Sequence, residues 1–178
     1  MVDISLLQSL SYVAAAIGVC VAAFYYMMML RINQRNMRIT LTNNLMQSWQ
    51  SYENQRRWGE LLNMEWRDYD DFEKKYGSDN NLDNFALRQS MFYQLNSLGE
   101  LLRSGLADGD TLYCTVGLGA TWLWLKFKSV LEENRRRYSG KYALSGFEYL
   151  ADEMMKIRRV KDPDYKIPET FARYVSDK

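Results

Sequence analysis

The chain contains no histidine. That absence removes serine–histidine triads, imidazole zinc sites, axial haem histidines and histidine acid–base catalysis. Cysteine is nearly as scarce, with only Cys20 and Cys114 among 178 residues. Both have apolar sequence neighbours and are expected to be buried, inert hydrophobes. A bridge between them is not expected, because Cys20 falls in a segment that reads as a membrane span and Cys114 lies far outside it. Proline occurs only as Pro163 and Pro168, so no earlier segment is interrupted by it. An excess of one charge is also missing: 23 basic residues face 22 acidic ones. That balance argues against a nucleic-acid partner. The composition is 47% hydrophobic and 25% charged, which excludes both a disordered chain and a multi-span membrane protein.

What the sequence does have begins at its N-terminus. No charged residue occurs between positions 4 and 30. As a helix that run is about 40 Å long, against roughly 30 Å for a bilayer's hydrocarbon core. A core helix of this length and all-round apolarity would be unusual. A cleaved signal peptide needs a basic segment first, and only Asp3 precedes the run. A lipoprotein is disfavoured because Val19 stands before Cys20, where a small residue is needed. Residues 1–30 therefore read as a retained transmembrane anchor. Arg31, Arg35 and Arg38 follow the run, which predicts a single-pass cell-membrane protein with its N-terminus outside and its C-terminal domain cytoplasmic. Tyr12 near one end, and Tyr25 with Tyr26 near the other, suit interfacial anchors. Ala14, Gly18 and Ala22 recur every four residues, with Ser11, Ala15 and Ala23 beside them. Such a face lets helix backbones approach closely, so it is expected to pack on another transmembrane helix. The three arginines are expected to contact anionic lipid at the inner leaflet, at about 1 kcal/mol each.

After Arg31 no alternating strand pattern appears, and glycine and aspartate punctuate a series of helical stripes. The expected fold is all-α: an N-terminal transmembrane helix continuing into a small cytoplasmic helical bundle. Residues 31–52 read as a juxtamembrane helix continuous with the anchor, its face formed by Met37, Leu41, Leu45, Trp49 and Tyr52. Nothing between Leu30 and Met37 resembles a flexible linker, so the helix is expected to be unbroken for roughly 70 Å. Residues 53–160 form the helical cytoplasmic domain. Helices are expected over 53–66, from a cap at Asp68 to Tyr76 with Gly77 as a left-handed stop, and over a stripe of Leu82, Phe85, Phe92, Leu95, Leu98 and Leu102 ended by Gly105. Asp108-Gly109-Asp110 opens a further helix to about Tyr138. Its uncharged stretch, 111–125, is too short to span a membrane and suits a central core helix. A last helix covers about 145–159, with Phe147, Leu150, Ala151 and Met154 inward. Residues 161–178 read as an extended, exposed tail.

Several motifs have structural readings that outweigh functional ones. Gly117-Leu118-Gly119-Ala120 shares glycines with a dinucleotide fingerprint but lacks the preceding strand, so close helix packing explains it better. Asp68, Asp70, Asp71 and Glu73 cluster like cation ligands, yet acids at a helix start are stabilised by the macrodipole, and the EF-hand spacing is absent. The basic groups Arg56-Arg57, Arg135-Arg136-Arg137 and Arg158-Arg159 alternate with acids and read as solvated faces. No catalytic residue, cofactor site or metal site is expected.

The basic helix leading to Trp49 is the first of several features that follow one another along the chain. The others are Trp66-Arg67-Asp68-Tyr69-Asp70-Asp71-Phe72, Leu101-Leu102 before Gly105-Leu106, Trp122, and Phe147-Glu148-Tyr149-Leu150. In this order they resemble a domain-of-unknown-function family of single-span proteins with a helical cytoplasmic domain. The resemblance covers most of residues 1–160 and leaves the tail without a counterpart. It implies the architecture and no activity.

The functional expectation is a non-enzymatic accessory, regulatory or assembly subunit. It would bind a larger membrane protein complex, a hetero-oligomer, through its span and helical domain. The alternative is a self-associating membrane scaffold, with a second copy of the chain as partner. A carboxylate-dependent enzyme is the third class, and no acid pair stands out to support it.

Overall fold

The computed structural model describes residues 4–138, 140–172 and 174. The fold is all-α, with no strand among the described residues. The helices are α1 (Ile4–Gln50), α2 (Tyr52–Asn63), α3 (Tyr69–Tyr76), α4 (Leu82–Arg103), α5 (Gly109–Thr115), α6 (Gly117–Arg137), α7 (Ser145–Lys161) and α8 (Glu169–Ala172). The chain divides into two compact units, Met1–Asn43 and Asn44–Lys178.

The first unit is built on α1, which passes positions 31–36 without a break although Asn33 and Asn36 are poor helix formers. Val13, Ile17, Val21 and Phe24 are all exposed. The segment Leu10–Gln50 contains a window of mean hydropathy 2.1, none of which is buried within the protein. This helix is therefore long and apolar enough to cross a membrane, and its apolar window is not part of a core.

In the second unit the chain turns at Ser51, whose Oγ accepts from the Asn54 amide at 3.3 Å and so caps α2. Tyr52 thus opens α2 instead of closing α1. The expected stripe fares unevenly: Trp49 is buried, Met37 and Tyr52 are exposed, and the Leu45 side chain lies outside the described residues. Helix α2 stops at Asn63, not 66. Near its end the Lys126 ammonium donates to the Leu62 carbonyl, placing a cation where the helix dipole favours one.

The Asp68 carboxylate accepts from the Asp71 amide at 2.8 Å and starts α3, as expected. Gly77 ends it for a different reason than expected. Its φ is −64°, not left-handed, but a Cβ there would lie 2.5 Å from the Glu73 carbonyl oxygen. Gly105 does take the left-handed conformation at φ +70° and terminates α4. On α4, Phe92, Leu95 and Leu98 are buried, whereas Leu82 at its start is exposed.

The helix expected from 109 to 138 is two helices that meet at Val116, which has φ −113° and ψ −11°. Two weak helix formers, Gly117 and Gly119, follow this residue. Just before it the Thr115 hydroxyl donates to the carbonyls of Thr111 and Leu112, the kind of back-bonding that bends helices. Cys114, on the short α5, and Cys20, on α1, are both exposed in the isolated chain, which corrects the expectation that they are buried. Gly119 lies where its missing side chain matters, since a Cβ would sit 3.1 Å from the Trp49 ring and 3.3 Å from Trp58 Nε1.

The core lies where α4, α6 and α7 meet. Phe127 of α6 is fully enclosed, with ring centroids of Trp66 at 5.0 Å and Phe92 at 5.1 Å. Phe92 in turn meets Phe147 of α7 at 5.6 Å. Each enclosed phenylalanine contributes about 1.5–3 kcal/mol by burial, with edge-to-face contacts adding roughly 0.5–1.5 kcal/mol. Phe147, Leu150, Ala151 and Met154 are all buried, as their spacing predicts.

The tail is not simply extended. Residues 169–172 form the single turn α8, and Phe171 stacks on Trp122 at 5.3 Å with the rings 9° from parallel. Tyr165 is held from the other side, its ring 4.4 Å below the Arg158 guanidinium. Phe171→Ala is expected to remove about 1 kcal/mol of local attachment. Trypsin cleavage after the exposed Lys166 should then accelerate while the rest of the domain stays resistant. Equal cleavage rates in both proteins would mean that the stack does not hold the tail.

Candidate functional site

Two regions could carry function, and each is described within its own unit. On α1, Ala14, Gly18 and Ala22 recur at four-residue spacing, with Ser11, Ala15 and Ala23 on the same helix, all exposed in the isolated chain. Nothing lies within 4 Å of the place where a Gly18 side chain would start, so another backbone could approach there. Arg31, Arg35 and Arg38 are also exposed on this helix. At about 100° per residue they point roughly 100–160° round the axis from Gly18. The close-packing face and the basic face can therefore be used at the same time.

The second region is a cleft of about 390 Å³ between α3, α4, α6 and the turn before α7. Phe85, Phe92, Val130 and Leu131 supply apolar walls, and Tyr93 and Tyr138 stand exposed at its lining. Arg88 enters it from α4 and is only 4% exposed. Its Nη1 donates to the Tyr76 carbonyl at 3.1 Å and to Asn84 Oδ1 at 2.9 Å. The guanidinium carbon lies 4.6 Å from the Phe72 ring centre and 5.5 Å from that of Phe85. Burial pushes the Arg88 pKa down to about 10, against a smaller upward pull from the charge of Glu73. Among the described residues no carboxylate reaches ion-pair distance of Arg88.

The cleft's other polar groups are largely matched, although Arg135 Nη2 is buried without a hydrogen-bond partner among the described residues. Tyr69 donates to Asn134 Oδ1 at 2.5 Å, and its hydroxyl pKa is raised by burial and then by Glu73, so it remains a donor. Arg135 donates from Nε to the Ala143 carbonyl and from Nη1 to Glu148 at 2.7 Å. Glu133 is held down to about 2 by hydrogen bonds from Arg136 and Arg137.

The acidic cluster of α3 is absorbed by structure. Asp71 pairs with Lys75 at 2.9 Å and accepts from the Arg67 amide, which hold its carboxyl down to about 2. Asp70 meets Arg137 at 3.0 Å. Among the described residues no group of acids and cysteines is arranged to hold a metal ion. A second groove, of about 610 Å³ beside α6 and α7, is lined by Asp152, raised by burial and then by Glu148, together with Glu132, Lys128 and Lys156.

Sequence reasoning pointed to the α1 residues and missed Arg88. The signal was present: Arg88 falls three residues after Phe85 and four before Phe92, inside the apolar stripe of α4. A charged residue at an inward position of that stripe requires a compensating environment.

A family model described as "Domain of unknown function (DUF4760)" matches residues 12–154. Neither a curated protein nor a solved structure matches the chain.

Proposed function

Because the chain belongs to the DUF4760 family, whose description assigns no activity, its role must be argued from its own residues; we propose that it is a membrane-anchored accessory, regulatory or assembly subunit of a larger membrane protein complex. The observation that carries this reading is the uncovered window of α1, with mean hydropathy 2.1 and none of it buried, on a chain that also builds a packed helical domain. Apolar surface on that scale needs a nonaqueous environment, and its length suits a bilayer. The basic residues Arg31, Arg35 and Arg38 support an orientation with the N-terminus outside the cell membrane and the helical domain in the cytoplasm. In that orientation they contact anionic lipid of the inner leaflet. The face of Ala14, Gly18 and Ala22 supports a helix of another protein as the partner within the bilayer. No catalytic constellation is part of this reading.

The exposed Cys114 makes the orientation testable without new cysteines. The full chain should remain in the membrane pellet after carbonate extraction. An impermeant maleimide should label Cys114 in inverted vesicles and not in intact cells. Release by carbonate, or labelling from outside, would overturn the anchor or its orientation respectively.

Gly18→Ile tests the packing face. Filling the open space at Gly18 should weaken association with the partner at least tenfold in mild detergent, and unchanged association would remove the face from the proposal. Crosslinking in native membranes separates the two kinds of partner. A distinct larger partner supports an accessory subunit, whereas predominantly self-crosslinked chains would favour a scaffold that uses the same face.

A further inference from the structure

Arg88 is a buried cation that the protein does not neutralise by contact. A guanidinium has five N–H donors, and only Nη1 is engaged, by Tyr76 and Asn84. Nε and Nη2 make no hydrogen bond among the described residues. Neither is among the side-chain nitrogens both shut off from solvent and unpartnered. Since Arg88 lines the cleft and these donors are not shut off from solvent, the cleft is the route by which a ligand would reach them. Glu73 lines the same cleft but lies beyond ion-pair distance of Arg88. Burying a charge in this way is costly, so an anion able to reach the free edge of the guanidinium would gain an unusually strong hydrogen-bonded partner.

The rest of the cleft fits such a ligand. Its volume of about 390 Å³ accommodates a small molecule and not a folded peptide segment. Phe85, Phe92, Val130 and Leu131 offer an apolar bed, and Asn134 and Gln89 add polar groups at its lining. Tyr138 and Tyr93, 73% and 61% exposed, stand at the rim, where aromatic rings can cover a bound molecule.

We propose that this cleft is a binding site for a small organic anion, whose carboxylate or phosphate pairs with Nε and Nη2 of Arg88 while its flat apolar body lies against Phe85 and Phe92. The site belongs to the helical domain and does not depend on what α1 binds.

Benzoate is a suitable probe, with benzamide as its uncharged counterpart of the same shape. In the full chain held in detergent micelles, the Nε–Hε resonance of Arg88 is followed by NMR and identified by its disappearance in Arg88→Lys. Benzoate should shift it saturably and downfield, and benzamide should bind at least tenfold more weakly. Arg88→Gln should lower benzoate affinity at least tenfold. If that variant does not fold, the titration of the unaltered protein decides. An Nε–Hε signal that ignores tens of millimolar benzoate would overturn the proposal. So would an equal response to benzamide, which would mean an apolar cavity without anion recognition.

Discussion

Gly99→Ala is expected to cost about 3 kcal/mol or more of folding stability, a large fraction of what holds a small domain folded. The reason is the crossing of α4 and α7. A Cβ on Gly99 would lie 1.7 Å from the carbonyl oxygen of Gly146 and 2.4 Å from its carbonyl carbon. Those atoms are backbone, so no rotamer change relieves the overlap, and the two helices would have to separate. Separation opens the contact of Phe92 with Phe147, whose rings sit 5.6 Å apart, and loosens the buried Leu95, Leu98 and Leu150. Gly59→Ala is the matching control. Gly59 lies in α2 with nothing within 4 Å of its missing side chain, so alanine there should stabilise by roughly 0.5–1 kcal/mol through helix propensity alone. Urea denaturation of both variants in micelles, followed by tryptophan fluorescence, provides the comparison. Similar midpoints for Gly99→Ala and the parent chain would show that the α4–α7 approach is not tight.

This crossing marks the boundary of what could be read in the sequence. Helical class, the long apolar segment of α1, the cap at Asp68, the cap at Asp108 whose carboxylate accepts from the Thr111 amide, the Gly105 stop and the inward residues of α7 all follow from local rules. Periodicity and capping act within a few residues, so one chain segment reveals them. The pairing of Gly99 with Gly146 is a relation between positions 47 residues apart, and nothing near either glycine announces it. The same holds for Phe171, which local pattern leaves in an exposed tail because its partner Trp122 sits 49 residues upstream. The break at Val116 is hidden in a different way. A continuous run of apolar residues masks the weak helix formers Gly117 and Gly119, which in local pattern alone look like packing residues inside one helix. Arg88 could have been singled out by its inward position on the α4 stripe. Its cleft could not, because α3 and the turn before α7 are brought to α4 only by the fold.

Asn96 supplies the second large expectation, because it starts a helix to which it does not belong. The residue before α7, Leu144, has φ +57° and offers no capping side chain. The carboxamide oxygen of Asn96, reaching from α4, instead accepts from the amides of Gly146 at 2.9 Å and Phe147 at 3.2 Å. Gly146 and Phe147 are both buried, so water cannot readily replace that oxygen. Asn96→Ala should therefore cost about 2–3 kcal/mol, more than loss of an exposed cap. Asn96→Asp keeps an acceptor in place and adds negative charge at a helix N-terminus. Near pH 7 it should equal the parent chain or exceed it by up to about 1 kcal/mol. The sign of its pH dependence follows. The α7 amides would hold that carboxyl below its unfolded-state pKa of about 3.9, so the benefit is complete above this value and disappears as pH falls through the lowered one. Urea midpoints measured between pH 3 and 7 test both parts. Equal stability of Asn96→Ala and the parent chain would show that α7 needs no cap. A destabilised Asn96→Asp at neutral pH would show instead that the amide nitrogen of Asn96, and not its oxygen, is the group the site requires.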